Sequence, residues 1–427
     1  MFKRTFHICR AHIHSTRSFS SNASDQLPLS GIRVLDLSRV LAGPYCTMIL
    51  GDLGAEIVKI EHPMRGCDTR AWGPPFVGSN DADKESCYFL SVNRNKKSVG
   101  INIKDPEGRD LVAALARQSD VLVENYLPGK LSQMGLGYDD LKDIAPNLIY
   151  CSITGFGVDG PYSNRAGYDV IAASIGGLLH ITGEPNGPPC KVGVALTDVC
   201  TGLYAHGAIM AALLARAKSG RGQKIDCNLL ATQVSTLVNL SSSYLNGGIE
   251  AQRQGTAHAS IVPYQSFQTK DGYMTIGCGN DHQFQEFCQK IGLPQVCLED
   301  KYQSNELRVH NREELIELLT TKMGEKTNEE WTSTFDGAGF PYGPVNNLSQ
   351  VFADPQVKHL GLEQTVSHPK VGEIKQVGPP VKFSASSNRI QFAPPVLGSH
   401  TREVLADLLN LDEERLNELS RKGVINP

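Results

Sequence analysis

The sequence predicts an α/β protein: a larger part built on a parallel sheet, followed by a smaller α+β part. Three observations lead there. Short apolar strand patterns alternate with helix patterns from Gly31 to Cys227, and this βαβ rhythm with right-handed crossovers lays strands side by side. Gly247-Gly248 then interrupts the rhythm, and a hairpin pattern followed by helices takes over. Length agrees, since 427 residues with 40% hydrophobic content suffice for about two or three domains.

Residues 31–37 read as the first strand, and a helix-like run follows from Tyr45 to Leu53, stopped by Gly54. Residues 55–61 read as the next strand. Residues 62–86 are polar and rich in Gly, Pro and Asp, which predicts a long surface segment. Residues 98–103 follow as a strand. Asp105-Pro106-Glu107-Gly108 opens a helix to about Arg117, with Pro and Glu in the first turn. Strands are expected at 120–125, at 147–153 after a short helix near Leu141, and at 224–227. A helix is expected over 229–245. Past the boundary, 261–276 reads as a hairpin turning at Lys270-Asp271-Gly272, and helices are expected at 281–291, 312–322 and 329–335. Beyond Pro344 the chain is Pro-rich and reads as extended, closing with helices at 401–409 and 412–421. The expected divisions are therefore a leader at 1–26, a large domain at 27–246, a small domain at 247–343 and a tail at 344–427.

Composition excludes several function classes. A net charge of -4 offers no basic field for nucleic acid. Apolar runs are broken before the roughly 20 residues a bilayer span needs, so no membrane partner is expected. The 11 Cys contain no C-x-x-C pair, which argues against zinc and against a redox pair; no metal is expected. Neither G-x-G-x-x-G nor G-x-x-x-x-G-K-[ST] occurs, so the dinucleotide fingerprint and the P-loop are absent. The leader carries Lys3, Arg4, Arg10 and Arg17 among apolar and Ser residues, with no acid before Asp25. That is the composition of a mitochondrial transit peptide, so the mitochondrial matrix is the expected location.

One stretch can carry chemistry. Gly193-Val194-Ala195-Leu196-Thr197-Asp198 leads into a long Ala- and Leu-rich helix that ends in Arg216, Lys218 and Gly220. Asp198 sits where that helix is expected to begin. It can cap free N–H groups there, kept ionised by the helix dipole, or serve as a carboxylate nucleophile. The stretch alone favours the cap, and the two roles are compatible.

A series of ordered motifs adds to this reading. They include Val40-Leu41-Ala42-Gly43-Pro44, Val58-Lys59-Ile60-Glu61, Asn95-Lys96-Lys97-Ser98 and Asp120-Val121-Leu122-Val123-Glu124-Asn125-Tyr126-Leu127-Pro128-Gly129. Gly167-Tyr168-Asp169, Gly220-Arg221-Gly222-Gln223-Lys224-Ile225-Asp226 and Leu397-Gly398-Ser399-His400-Thr401 follow. With them the chain, from about Leu27 onward, resembles the class III CoA-transferases, a family that also holds formyl-CoA transferase and alpha-methylacyl-CoA racemase.

The resemblance implies a Rossmann-like large domain, a ring-like subunit in an interlaced homodimer, and a C-terminal segment returning to the large domain. It places the catalytic Asp on Asp198, which turns the balance from cap to nucleophile. It implies coenzyme A thioester as a substrate with no tightly bound cofactor, and a dicarboxylic acid as its partner: succinyl-CoA as donor and glutarate as acceptor. It assigns CoA contacts to Ala42, His62, Ile101, Ile103, Lys104, Asn125, Tyr126, Tyr168 and Asp169. Arg65 or Arg70 are further sources of positive charge near His62. Arg39, Arg94 and Arg165 are open choices for holding a second carboxylate, and Gln254-Gly255-Thr256-Ala257-His258 is expected as a loop over the site. Two alternatives stay open, a 2-methylacyl-CoA racemase and a non-catalytic CoA-binding protein. The racemase branch carries His where this chain has Tyr168, and Tyr is a poor base at neutral pH.

Overall fold

The computed structural model describes residues 27–78, 80 and 83–426. The leader lies outside them. Six strands, β1 (Arg33–Asp36), β2 (Glu56–Glu61), β3 (Lys96–Gly100), β4 (Val121–Glu124), β5 (Ile149–Thr154) and β6 (Lys224–Asn228), form one sheet in the order β3-β2-β1-β4-β5-β6. Every pairing is parallel, with Val34 opposite Ile57 on one side and Val121 on the other. The strands are apolar on both faces because both faces are covered. Leu35, Val58, Val99 and Leu122 pack into one core, and Val34, Ile57, Val121 and Ile149 into another.

Helix α1 (Ala42–Asp52) and helix α4 (Leu196–Ser219) cover the second face, and α2 (Pro106–Arg117) covers the first. Between α2 and α4 runs the short α3 (Asp169–Ile175). Gly202 lets α1 and α4 cross closely: a Cβ there would stand 2.7 Å from the Ala42 carbonyl oxygen. By length and composition α4 is apolar enough to cross a bilayer, contrary to the sequence expectation. Its Ala205, Ile209 and Ala212 are instead buried in the sheet core.

The expected helix over 229–245 is two helices, α5 (Leu229–Ser235) and α6 (Val238–Gly247). The break falls at Val238, whose φ of 45° no helix can continue through. The strand expected at 98–103 runs earlier, at 96–100: Lys96 already pairs with Ile57, and past Gly100 Ile101 bridges Ile425 while its N–H still reaches the Glu61 carbonyl. The helix expected from Tyr45 starts at Ala42, with Pro44 in its first turn, where a missing N–H costs nothing. Residues 62–86 are not a plain surface segment. Glu61 accepts the Cys67 N–H and both arms of Arg70, which draws the chain inward and buries Cys67 and Thr69.

The smaller unit packs an antiparallel sheet, β7 (Tyr264–Gln268), β8 (Tyr273–Gly277) and β9 (Tyr342–Pro344), against α7 (Asp281–Lys290), α8 (Arg312–Met323) and α9 (Asn328–Phe335). Phe267, Met274, Phe287, Trp331 and Phe335 fill its core. The tail is less extended than expected. It forms helices at Leu348–Ala353 and Pro355–Leu360 and a hairpin of β10 (Glu363–His368) with β11 (Gly372–Val377). It then runs irregularly to α10 (Thr401–Leu409) and α11 (Glu413–Arg421). This stretch docks on the β3 edge. Asn95, at φ 60°, accepts the N–H groups of Gln391 and Phe392 at 2.6 and 2.9 Å. The Ser98 carbonyl takes the His400 N–H, and the Thr401 hydroxyl takes the Gly100 N–H. Val404, Leu405, Leu416 and Leu419 complete the core beside α2.

Candidate active site

Strand order reverses between β1 and β4, the point where ligands of open parallel sheets sit, beyond the carboxyl ends of the strands. The loop after β1 (37–41) and the loop after β4 (125–129) meet there. Asn125 joins them: its Nδ2 donates to the Arg39 carbonyl at 2.7 Å and its Oδ1 accepts the Arg39 N–H at 2.8 Å. Behind β4, Glu124 accepts the Tyr126 N–H at 2.8 Å and the Ser152 hydroxyl, which fixes the start of that loop.

Beneath the β1 loop lies a fully buried ionic cluster. Asp36 accepts from Lys96 Nζ at 3.1 Å and from the Thr47 hydroxyl at 2.7 Å, and Lys59 Nζ stands 3.8 Å away. Lys59 also donates to the Ser38 carbonyl and Lys96 to the Pro44 carbonyl, so both cations pin the backbone that enters α1. Burial alone would raise the Asp36 carboxyl; Lys59 and Lys96, with the Ser38 and Thr47 hydroxyls, hold it well below the usual carboxylate range. Burial lowers Lys96 to about 8 against the pull of Asp36.

Two cavities, of about 290 and 220 Å³, open at this edge and share Arg39, Asp68 and Tyr126 as lining. His62, Ile101, Ile103, Lys104 and Tyr126 line the first; Ala42, Asn125, Tyr126, Tyr168 and Asp198 line the second. Eight of the nine residues singled out for CoA contact therefore border one continuous cleft. The ninth, Asp169, stands behind Asp198.

The first cavity is cationic. Burial, then the charges of Arg65 and Lys104, hold the His62 imidazole below its usual value. Its Nδ1 accepts the Met64 N–H at 3.2 Å, so the neutral ring presents Nε2–H as a donor. These groups suit phosphate oxygens. Arg70 is committed elsewhere, bidentate on Glu61.

The second cavity holds Asp198. The helix begins two residues earlier than the sequence suggests, with Ala195 flanking it and Asp198 in its first turn. Asp198 is therefore not the N-cap. Its own backbone N–H donates to Asp169 Oδ2 at 3.1 Å, so a carboxylate from α3 caps this turn from outside. Thr197 anchors the turn by donating to Gln233 Oε1 at 2.7 Å. Nor does the dipole hold Asp198 ionised. Burial, then the charge of Asp169, raises its carboxyl to about 7. Desolvation outweighs the helix dipole because the side chain is largely out of water.

Tyr88, which the sequence reading missed, stands near both carboxylates. Burial, then the charges of Asp198 and Asp169, raise its phenol, and its ring meets Trp72 edge-on at 5.2 Å. Trp72 lies within the stretch that reads as polar surface and Tyr88 just past its end, so neither carries a local signal. Of the arginines considered for a second carboxylate, Arg94 is buried and bidentate on Asp52 at 2.9 and 2.7 Å. Arg39 and Arg165 both line the Asp198 cavity. Arg39 pairs with Asp68 at 3.1 Å, while the Arg165 guanidinium lies over the Tyr162 ring. The loop 254–258 packs on the 180–184 segment, with the Gly255 N–H on the Gly183 carbonyl and Arg253 on that of His180. Among the described residues no hydrogen bond joins this loop to Asp198.

Comparison with known proteins agrees with this geometry. A family model described as CoA-transferase family III matches residues 29–401. The chain is 53% identical over 406 residues to succinyl-CoA:glutarate CoA-transferase of Homo sapiens, across 95% of this chain and 92% of that protein. It is 41% identical over 386 residues to succinate--glutarate CoA-transferase of Agrobacterium fabrum, across 90% of this chain and 96% of that one. Among solved structures, a CAIB/BAIF family protein from Brucella suis superposes with a TM-score of 0.82 at 40% identity, covering 90% of this chain and all of that one.

Proposed function

The chain belongs to CoA-transferase family III, and from that premise we propose that it moves CoA from succinyl-CoA to glutarate through covalent intermediates on Asp198. The observation that carries this reading is the Asp198 carboxyl itself, lining the cleft at the strand ends with its pKa raised to about 7. A more basic carboxylate is a better nucleophile, and a substantial fraction is still ionised at neutral pH.

The steps are as follows. An Asp198 carboxylate oxygen attacks the thioester carbonyl of succinyl-CoA, and collapse of the tetrahedral adduct expels CoA thiolate and leaves a mixed anhydride. The thiolate attacks the aspartyl carbonyl of that anhydride, expels succinate and leaves an aspartyl-CoA thioester. A glutarate carboxylate attacks this thioester and releases the thiolate again. The thiolate then attacks the glutaryl carbonyl, giving glutaryl-CoA and free Asp198. One thioester is exchanged for another of similar energy, so no ATP or metal is called for.

In this reading His62, Arg65 and Lys104 meet the coenzyme phosphates, with Ile101 and Ile103 beside the nucleotide. Ala42, Asn125, Tyr126 and Tyr168 guide the pantetheine arm toward Asp198, and Asp169 supports the nucleophile. Residues 27–246 form the catalytic domain, 247–343 the small domain and 344–427 the returning tail. A homodimer is supported by an exposed apolar surface on α3 to α6, with Ile171 and Ile175, Leu203 and Tyr204, Val234, and Tyr244 and Leu245 facing outward. The basic, acid-free leader supports the mitochondrial matrix as the location.

Mixing the protein with succinyl-CoA and a panel of free acids, and reading new acyl-CoAs by mass, tests the reaction and its acceptor. Digestion during turnover is expected to yield a CoA adduct on the Asp198 peptide. Product formation with no adduct there would remove the proposed mechanism.

A further inference from the structure

Nothing in the reaction sequence so far needs a second carboxylate beside the nucleophile, yet the fold places one there. Asp169 is the first residue of α3, and its Oδ2 accepts the backbone N–H of Asp198 at 3.1 Å. That N–H is one of four in the first turn of α4 that no helical carbonyl can satisfy. Asp169 thus does for α4 what a cap residue usually does from within the same helix. Like charges this close disfavour each other's ionisation, so an ordinary cap here would be Ser, Thr or Asn, which bond the N–H without the charge.

We propose that Asp169 is a positioning residue for the nucleophile: it fixes the first turn of α4 through the Asp198 N–H, and its negative charge makes Asp198 the more basic partner in the mixed anhydride. This rests on Asp198 being the nucleophile. This basicity sets how much enzyme stands as aspartyl-CoA. The anhydride has two carbonyls that the CoA thiolate can attack. Attack on the substrate carbonyl expels Asp198 and returns the starting thioester. Attack on the aspartyl carbonyl expels the substrate acid and leaves aspartyl-CoA. The poorer leaving group is the more basic one, so the charge of Asp169 favours attack on the aspartyl carbonyl: it promotes aspartyl-CoA formation in the first half-reaction and holds that thioester as the favoured enzyme form, while opposing expulsion of Asp198 in the second.

Other groups near Asp198 do not replace this effect. Tyr88 approaches from the helix Cys87–Ser91 and is itself raised by both carboxylates. Cys200, on α4, is raised by burial and then by Asp169. Arg39, Asp68 and Arg165 line the same cavity.

The experiment measures the rate of Asp198 adduct formation after mixing with succinyl-CoA, by protein mass, across pH 5 to about 9 to bracket the raised Asp198 carboxyl. It compares the wild type with Asp169→Asn and Asp169→Ala. Asn keeps the acceptor oxygen and loses the charge; Ala loses both. With Asn the acid limb is expected to move down by about one pH unit or more, without reaching an ordinary carboxyl value because burial persists. At neutral pH aspartyl-CoA is expected to form a smaller share of trapped enzyme. Ala is expected to slow adduct formation about tenfold or more at every pH, from loss of the cap. If Asn leaves the pH profile and the aspartyl-CoA share unchanged, the proposal is overturned; so too if Ala and Asn behave alike. Should Asn fail to fold, by circular dichroism, Asp169→Ser retains an acceptor and decides on the same readouts. Absence of any adduct in the wild type would instead defeat the nucleophile assignment, a separate result.

Discussion

Asn125 grips the backbone of Arg39 from both sides, giving one hydrogen bond to its carbonyl and taking one from its N–H. The two loops at the sheet's switch point are thereby held as one floor for the cleft. Asn125→Ala frees both, and two bonds of roughly 1 kcal/mol each are lost. The expected outcome is a rise of about tenfold or more in KM for succinyl-CoA, with a smaller effect on kcat, read by steady-state kinetics.

Asp198→Asn is expected to abolish transfer and to stabilise the fold at alkaline pH. Burial in the folded protein, then the charge of Asp169, raises this carboxyl to about 7 from its ordinary 3.8. It therefore binds its proton more tightly folded than unfolded, and ionisation above pH 7 works against folding. Asn carries no such burden. At pH 8 the variant should be more stable by ~2 kcal/mol, a gain that shrinks below pH 7 and vanishes near pH 4. Urea unfolding at several pH values measures it.

Asp36→Asn leaves two buried cations without their anion. The expected loss at pH 7 is ~3–5 kcal/mol, in the range for breaking a buried pair. The folded state depresses this carboxyl, so its contribution is present above the ordinary carboxylate range and is lost as pH falls toward the depressed value. Wild-type and variant stabilities should thus converge in acid, as followed by thermal melts.

Gly202→Ala places a methyl 2.7 Å from the Ala42 carbonyl and 3.2 Å from the Tyr45 ring. Backbone cannot yield there without separating α1 from α4. A loss of ~1–3 kcal/mol is expected, together with weaker binding of succinyl-CoA, since Ala42 lines the cleft. Calorimetry and KM check the two effects.

How much of this the sequence carried depends on which physical signal each feature leaves. The six strands were legible because parallel strands buried on both faces are short apolar runs, as in Val121-Leu122-Val123. Their spatial order was not, since nothing local in β1 says that β4 is its neighbour. Asp198 and the eight residues that line the cleft with it were named through the resemblance its ordered motifs carry, but the cap geometry was misjudged. The true partner of the Asp198 N–H is Asp169, 29 residues earlier, and no helix-start pattern records a contact made across the fold. Arg94 looked available because its partner Asp52 is 42 positions away. Trp72 was lost inside a stretch whose Gly and Pro content mimics a loop, and Tyr88 just beyond its end. The break before Val238 escaped notice because the apolar spacing continues through it.

The docking of the tail on β3 has a bearing on how the chain is made. Ile425 bridges Ile101, and Leu416 and Leu419 seal the core that Val99, Val112 and Leu115 begin. A ribosome delivers those closing residues more than 300 positions after the edge they cover. The first sheet therefore waits, with apolar surface open to holdase chaperones, until those residues emerge. A premature stop codon between residues 390 and 415 would encode every cleft residue and still yield a protein without Leu416 and Leu419 to shut its own core.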